Sequence, residues 1–177
     1  MENAIDIDEA TLLEAIEGME PLADGLSNEE LVKISMALLK GEMQLKHVKG
    51  LTDEEMEAVY AQGYSLFRSG NYPKAEEVFT FLATFDNAER KYWTALGAVR
   101  FNQKNYDGAV MAYAQAAILN VDADLLVKVA QCHLGIGERE TARDALEAAV
   151  EFAGEDEGQA PLKARAEAML GLLDQAA

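Results

Sequence analysis

The sequence has few of the residues that break helices, form disulfides or bind metal ions. Its 177 residues include three Pro, one Cys and two His, and 50% of them are apolar. A single Cys cannot form an internal disulfide, and the scarcity of Pro in an apolar chain favours a helical fold over disorder. No apolar run approaches the roughly 20 residues of a membrane-spanning helix, and the N-terminus lacks the basic and apolar regions of a signal peptide. We therefore predict one all-α domain in a reducing cytosol.

Basic side chains are missing where acidic ones are densest. The first thirty residues hold ten Asp and Glu but no Lys or Arg, and the whole chain has a formal net charge of -17. Such a surface repels phosphate backbones and anionic membranes, so we expect neither nucleic-acid nor membrane binding. The partner should be neutral, apolar or basic.

The sequence repeats itself with a period of 34 residues. The first copy contains Gly63, Tyr72, Ala75 and Phe79, and the second contains Gly97, Tyr106, Ala109 and Tyr113. The third copy is one residue shorter in its connection, so that Ala130, Gly137, Ala142 and Leu146 lie 33 residues after Gly97, Lys104, Ala109 and Tyr113. Small residues at the first of these positions should let the first helix of each copy approach the second, with aromatic rings filling the remaining gaps. Three copies are the minimum at which stacked helix pairs bury a continuous core.

The middle copy resembles the tetratricopeptide repeat. It matches that family's signature at Trp93, Leu96, Gly97, Tyr106, Ala109, Tyr113 and Ala116. The Pro that usually closes a repeat is replaced by Asn87 and Val121. The resemblance implies three tandem helix pairs that form a right-handed superhelical solenoid.

Helices are also predicted on both sides of the repeats. Ser27 and Thr52 are each followed three residues later by Glu, the capping-box pattern of a helix start. A last helix should begin at Pro161 and close the open end of the stack as a cap. The predicted organisation is an acidic, partly disordered extension at 1–25 with a short helix near 8–17, an N-terminal helical region at 26–51, three repeats at 52–153, and a linker with the capping helix at 154–177.

The repeat resemblance also implies a groove. Positions 5, 9 and 12 of each repeat point to the concave face, and the repeats start at residues 56, 90 and 123. The nine predicted groove residues are Tyr60, Tyr64, Phe67, Thr94, Ala98, Phe101, Val127, Gln131 and Leu134. Because most of them are apolar, and an exposed apolar patch of this size marks a contact site, the groove should bind another polypeptide. Tyr64, Ala98 and Gln131 stand where other repeat proteins clamp a charged chain terminus, so a carboxylate clamp is not expected.

A closer resemblance is to the class II chaperones of bacterial type III secretion systems. It spans about residues 28–173 and rests on the order of four segments, at 39–51, 56–60, 70–76 and 79–86. The resemblance implies a cytoplasmic protein that binds extended N-terminal segments of pore-forming translocators and keeps them from aggregating before export. It also implies a homodimer formed through residues 28–50, with Leu31, Ile34, Leu38 and Leu39 as candidate interface residues. Some family members also assist a transcription activator, so a regulatory cofactor or scaffold is the alternative function.

No residues in the sequence indicate catalysis, a cofactor or a metal site. Cys132 and His133 are adjacent on a predicted helix, so their side chains point about 100° apart and cannot share one ligand. The Gly135-Ile136-Gly137 segment is interpreted as the turn inside the third repeat. Trp93 is expected to pack between helices. We therefore predict a protein that is not an enzyme.

Overall fold

A computed structural model describes residues 28–175, together with Ala10, and contains helices but no strands within that part of the chain. Apart from Ala10, the predicted acidic extension and its short helix lie outside the described residues. The chain divides into two compact units at Thr52. Within the described part, no helix combines the length and the apolar character that crossing a bilayer requires.

From residue 28 onwards, the first unit contains two helices. Helix α1 spans Asn28–Leu39 and begins one residue after the Ser27 of the predicted capping box. Helix α2 spans Leu45–Val48. The chain turns between them at Gly41, whose φ of 71° is readily adopted only by glycine, and the amide N–H of Glu42 donates to the Ala37 carbonyl at 2.8 Å.

The second unit is a succession of helix pairs, each helix packing against the next one along the chain. The pairs are α3 (Asp53–Arg68) with α4 (Tyr72–Phe85), α5 (Arg90–Asn102) with α6 (Tyr106–Leu119), and α7 (Ala123–Ile136) with α8 (Arg139–Ala153). A short 3-10 turn at Glu157–Gln159 leads into α9 (Ala160–Gln175), which packs mainly on α8. The predicted all-α fold of three helix pairs followed by a terminal helix is confirmed.

Glycines set the close approach within the first two pairs. A Cβ atom added at Gly97 would lie 2.4 Å from the buried ring of Tyr113, and one at Gly63 would lie 3.0 Å from the ring of Phe79. Each glycine therefore provides the space that the aromatic ring of its partner helix occupies. The repeated Gly and aromatic positions encode one specific helix-to-helix contact, used twice.

The third pair has a core of smaller side chains and is closed by α9. Ala130, Ala142 and Leu146 are fully buried there, and Ala166 and Leu173 of α9 belong to the same apolar cluster. The terminal helix thus supplies the apolar surface that a fourth repeat would otherwise provide.

The predicted turn of the third repeat is only partly correct. Helix α7 continues through Gly135 to Ile136, and only Gly137, with a φ of 97°, forms the left-handed cap that ends it. Gly135 has a packing role, because a Cβ atom there would lie 2.7 Å from the ring of Tyr106 in the preceding pair.

Candidate functional site

A cavity with a volume of about 440 Å³ opens between the first helices of the first two pairs, α3 and α5. One residue of α4, Phe79, forms part of its floor, and the remaining lining comes from α3, α5 and the residue before α5. The lining residues are Tyr60, Tyr64, Phe67, Phe79, Glu89, Arg90, Lys91, Thr94, Ala95 and Ala98.

Five of the nine predicted groove residues line this cavity. Tyr60, Tyr64 and Phe67 are spaced four and three residues apart on α3, and Thr94 and Ala98 are four apart on α5. Residues at these spacings share one face of a helix, so each helix turns a single stripe towards the cavity. Thr94 and Ala98 on α5 are small, so they leave the space of the cavity open opposite the rings of α3.

Tyr60, Tyr64 and Phe67 of α3 form the aromatic wall of the cavity, and two of these rings pack against other rings of the protein. The ring of Tyr60 lies 5.6 Å from that of Phe79 and 5.8 Å from that of Tyr92, measured between centroids. The ring of Phe67 lies 5.8 Å from that of Tyr72. Tyr64 has no such contact with another ring of the described residues and is 48% exposed. Two rings are therefore positioned before any partner arrives, whereas Tyr64 offers free surface to one.

Both cationic side chains that line the cavity are paired with carboxylates. Lys91 forms an ion pair with Glu57 and lies 5.2 Å from the centre of the Tyr60 ring. The hydrogen bond to Glu57 raises the pKa of Lys91, so its amino group stays charged at neutral pH. Arg90 pairs with Asp122 at 2.6 Å. Because each cation already has a carboxylate partner, the cavity is suited to neutral, apolar chain rather than to a free anionic terminus.

The third repeat does not extend this cavity as predicted. Val127 is the clearest error, since its side chain is fully buried in the core cluster that α8 and α9 complete. It has no free surface with which to contact a partner. The physical reason is that α7, α8 and α9 share one apolar cluster that includes Val127, so this predicted groove position belongs to the core.

The other three predicted groove residues lie outside the lining of the cavity. Phe101 packs edge-on against Tyr106 at 5.5 Å and borders the core cluster around Tyr113. Leu134 borders the cluster of the third pair, and Gln131 is partly exposed.

The charged end of the cavity and the part lined by Phe79 were not predicted from the sequence. Arg90 and Lys91 lie one turn before Thr94 on α5, so helical spacing from a predicted groove residue could have found them. Phe79 was predicted to fill the core, and it does so while also lining the cavity.

Comparison with known proteins gives the cavity a context. A tetratricopeptide-repeat family model matches residues 56–87 and 91–120, which include the lining helices. Low calcium response locus protein H of Yersinia pestis is 27% identical over 135 residues, covering 76% of this chain and 80% of that protein. The chaperone protein SicA of Salmonella typhimurium is 29% identical over 125 residues, covering 70% and 76%.

One similar solved structure is that of a chaperone with a bound peptide. The Yersinia enterocolitica type III secretion chaperone SycD, in complex with a peptide of the translocator YopD, aligns with a TM-score of 0.67 at 25% identity. The alignment covers 71% of this chain and 96% of that one. The chain is similar in sequence and fold to tetratricopeptide-repeat chaperones of type III secretion. The resemblance found in the order of its sequence segments is thereby confirmed.

Trp93, Cys132 and His133 have structural roles in this chain. Trp93 packs beside the core cluster of the second pair, and its indole N–H donates to the Asn87 carbonyl at 2.9 Å. Cys132 is buried, which raises the pKa of its thiol to about 11. His133 pairs through Nδ1 with Glu138 at 2.7 Å. Among the described residues, no three His, Cys, Asp or Glu side chains converge on a possible metal position.

Proposed function

We propose that this chaperone holds an extended apolar segment of a translocator protein in the cavity between α3 and α5 and prevents its aggregation or premature association before type III export. The observation that carries the proposal is the half-exposed ring of Tyr64 beside the fixed rings of Tyr60 and Phe67. Relatives named as type III secretion chaperones, one of them in complex with a translocator peptide, support the identity of the cargo.

The dimensions of the aromatic wall fit a short length of extended chain. From Tyr60 to Phe67 the helix rises by about 10 Å. An extended segment advances roughly 3.3 Å per residue and turns every second side chain to the same face, so about three residues would span the wall and about two side chains would enter. A cavity of about 440 Å³ accommodates a few side chains and no folded domain.

The chemistry of the wall predicts recognition by apolar burial. Each apolar side chain that leaves water on entering the cavity contributes about 1.5–3 kcal/mol. Lys91 and Arg90 are each paired with a carboxylate, so these two cations should contribute little to the salt dependence of binding at this cavity.

The proposal includes four further properties. The chaperone acts in the bacterial cytoplasm, and it works by binding, with no catalytic residues and no cofactor. It forms a homodimer when free of cargo, through the apolar stripe of α1 at Leu31, Ile34, Leu38 and Leu39. Leu39 is 65% exposed and available for such a contact.

Co-purification with a co-expressed translocator tests the proposal. Tyr64→Glu places a charge in the apolar cavity and should abolish recovery of the translocator, while helicity by circular dichroism stays unchanged because Tyr64 is half exposed. Ser65→Glu, an exposed neighbour outside the cavity lining, is the matched control and should retain the translocator. Equal recovery of cargo by the two variants would exclude this cavity as the binding site.

A further inference from the structure

A second apolar surface lies on the outer side of the second helix pair. Helix α6 buries Ala109, Ala112, Tyr113 and Ala116 on its inner face. On the opposite face, Met111 is 68% exposed and Ile118 is 76% exposed, with exposed Ala114 between them. These three residues, the outer stripe, are spaced three and four apart and therefore form one line along the helix. A helix that is apolar on both faces is normally covered on both.

An acidic stripe runs along the outer face of the third pair. Glu140, Asp144, Glu147 and Glu151 of α8 are all exposed and are spaced four, three and four residues apart. Within residues 28–175, none of these carboxylates forms an ion pair. Arg143 of the same helix attracts Glu140 and Glu147, but its guanidinium pairs with Asp174 at 2.6 Å, so the stripe keeps a net negative charge.

The repeat register places the two stripes on the same side of the chain. Met111, Ala114 and Ile118 correspond, 33 residues later, to Asp144, Glu147 and Glu151. Equivalent positions of consecutive helix pairs face the same way, so the apolar line of one pair is followed by the acidic line of the next. The cavity lies elsewhere, because α6 and α8 contribute none of its lining.

We propose that this surface binds an amphipathic helix of a partner protein, with an apolar face that covers Met111 and Ile118 and a basic flank that meets Glu147 and Glu151. Charge complementarity selects this occupant, since a helix with acidic flanks would be repelled. A second copy of this chain would bring its own acidic stripe to the interface. The site is separate from the cavity, so the chaperone can hold an extended segment and this helix at the same time.

The test uses full-length chaperone and a fluorescein-labelled amphipathic helical peptide with Leu along one face and Lys along its flanks. Fluorescence anisotropy should show saturable binding, and Met111→Glu with Ile118→Glu should weaken it by roughly tenfold or more, because two central apolar contacts are lost. Glu147→Lys with Glu151→Lys should weaken it similarly and reduce its salt dependence. The same peptide with each Lys replaced by Glu should not bind.

Two controls separate binding at this surface from general electrostatic attraction and from self-association. Glu54→Lys with Glu167→Lys makes the same change in net charge at exposed positions away from both stripes, and it should leave peptide affinity unchanged. If Glu54→Lys with Glu167→Lys weakened peptide binding equally, the binding would be general electrostatic attraction to an acidic protein, and the proposal would be overturned. Conversion of a dimer to a monomer by Met111→Glu with Ile118→Glu, measured by light scattering, would also overturn it, because a second copy would then be the occupant. Tyr64→Glu should not change peptide binding, so failure of the cavity proposal is distinguishable from failure of this one.

Discussion

The substitution Gly97→Ala tests the contact that sets the spacing within the second helix pair. The new Cβ atom would lie 2.4, 2.6 and 2.8 Å from three ring atoms of Tyr113, which is only 2% exposed and has little room to move. Overpacking of this kind costs up to about 3 kcal/mol, and the higher helix propensity of Ala returns about 1 kcal/mol. We expect a net loss of about 2 kcal/mol in the free energy of unfolding, measured by urea denaturation with circular dichroism.

The matched control is Gly171→Ala in α9, where a Cβ atom would have no neighbour within 4 Å. There only the propensity gain applies, so the same substitution should stabilise the protein by up to about 1 kcal/mol. Replacing Tyr113 by Leu in the Gly97→Ala background should recover part of the loss, because the shorter side chain frees the space of the ring. Wild-type stability in Gly97→Ala would refute the close helix approach on which the positions of α5 and α6 depend.

Three further predictions concern the cavity, the thiol and the dimer. Tyr64→Ala should weaken binding of a translocator peptide about 30-fold in calorimetry, because it removes ~100 Å² of ring surface worth ~2 kcal/mol, and it should change the free energy of unfolding little. Tyr60→Ala should also lower the free energy of unfolding, because its ring packs on two others. A loss of stability in Tyr64→Ala but not in Tyr60→Ala would contradict the geometry. Cys132 should resist a thiol reagent at pH 8 until the protein unfolds, since burial raises its pKa to about 11 and leaves little thiolate; rapid labelling of the native protein would contradict its burial. Leu39→Glu should shift a free dimer towards monomer in sedimentation velocity without loss of helicity, and an unchanged dimer would move the interface elsewhere.

The contacts within a repeat could be predicted from the sequence because they are local and repeated. Gly63 faces Phe79 and Gly97 faces Tyr113 in the structure, as their shared spacing indicates. Five of the predicted groove residues also line one cavity, because the helical period alone determines which residues share a face of a helix.

Contacts between one repeat and the next could not be predicted in this way. Val127 is core because it belongs to the apolar cluster shared by α7, α8 and α9, and the repeat period does not indicate which helices share a cluster. Gly135 looked like a turn residue from its neighbour Gly137, whereas its role is to make room for Tyr106 of another pair. The ion pairs of the two cations at the cavity could not be predicted either, because their partners lie in other helices or loops. Lys91 pairs with Glu57, and Arg90 pairs with Asp122.

Photo-crosslinking tests the central claim most directly. A photoreactive phenylalanine derivative at position 64, in the chaperone co-expressed with a translocator, should crosslink to one short apolar segment of that cargo, identified by mass spectrometry. The same residue at the exposed position 167 on α9 should give no crosslink. Crosslinking of cargo at 167 but not at 64 would contradict the account, because the cargo would then bind away from the cavity between α3 and α5.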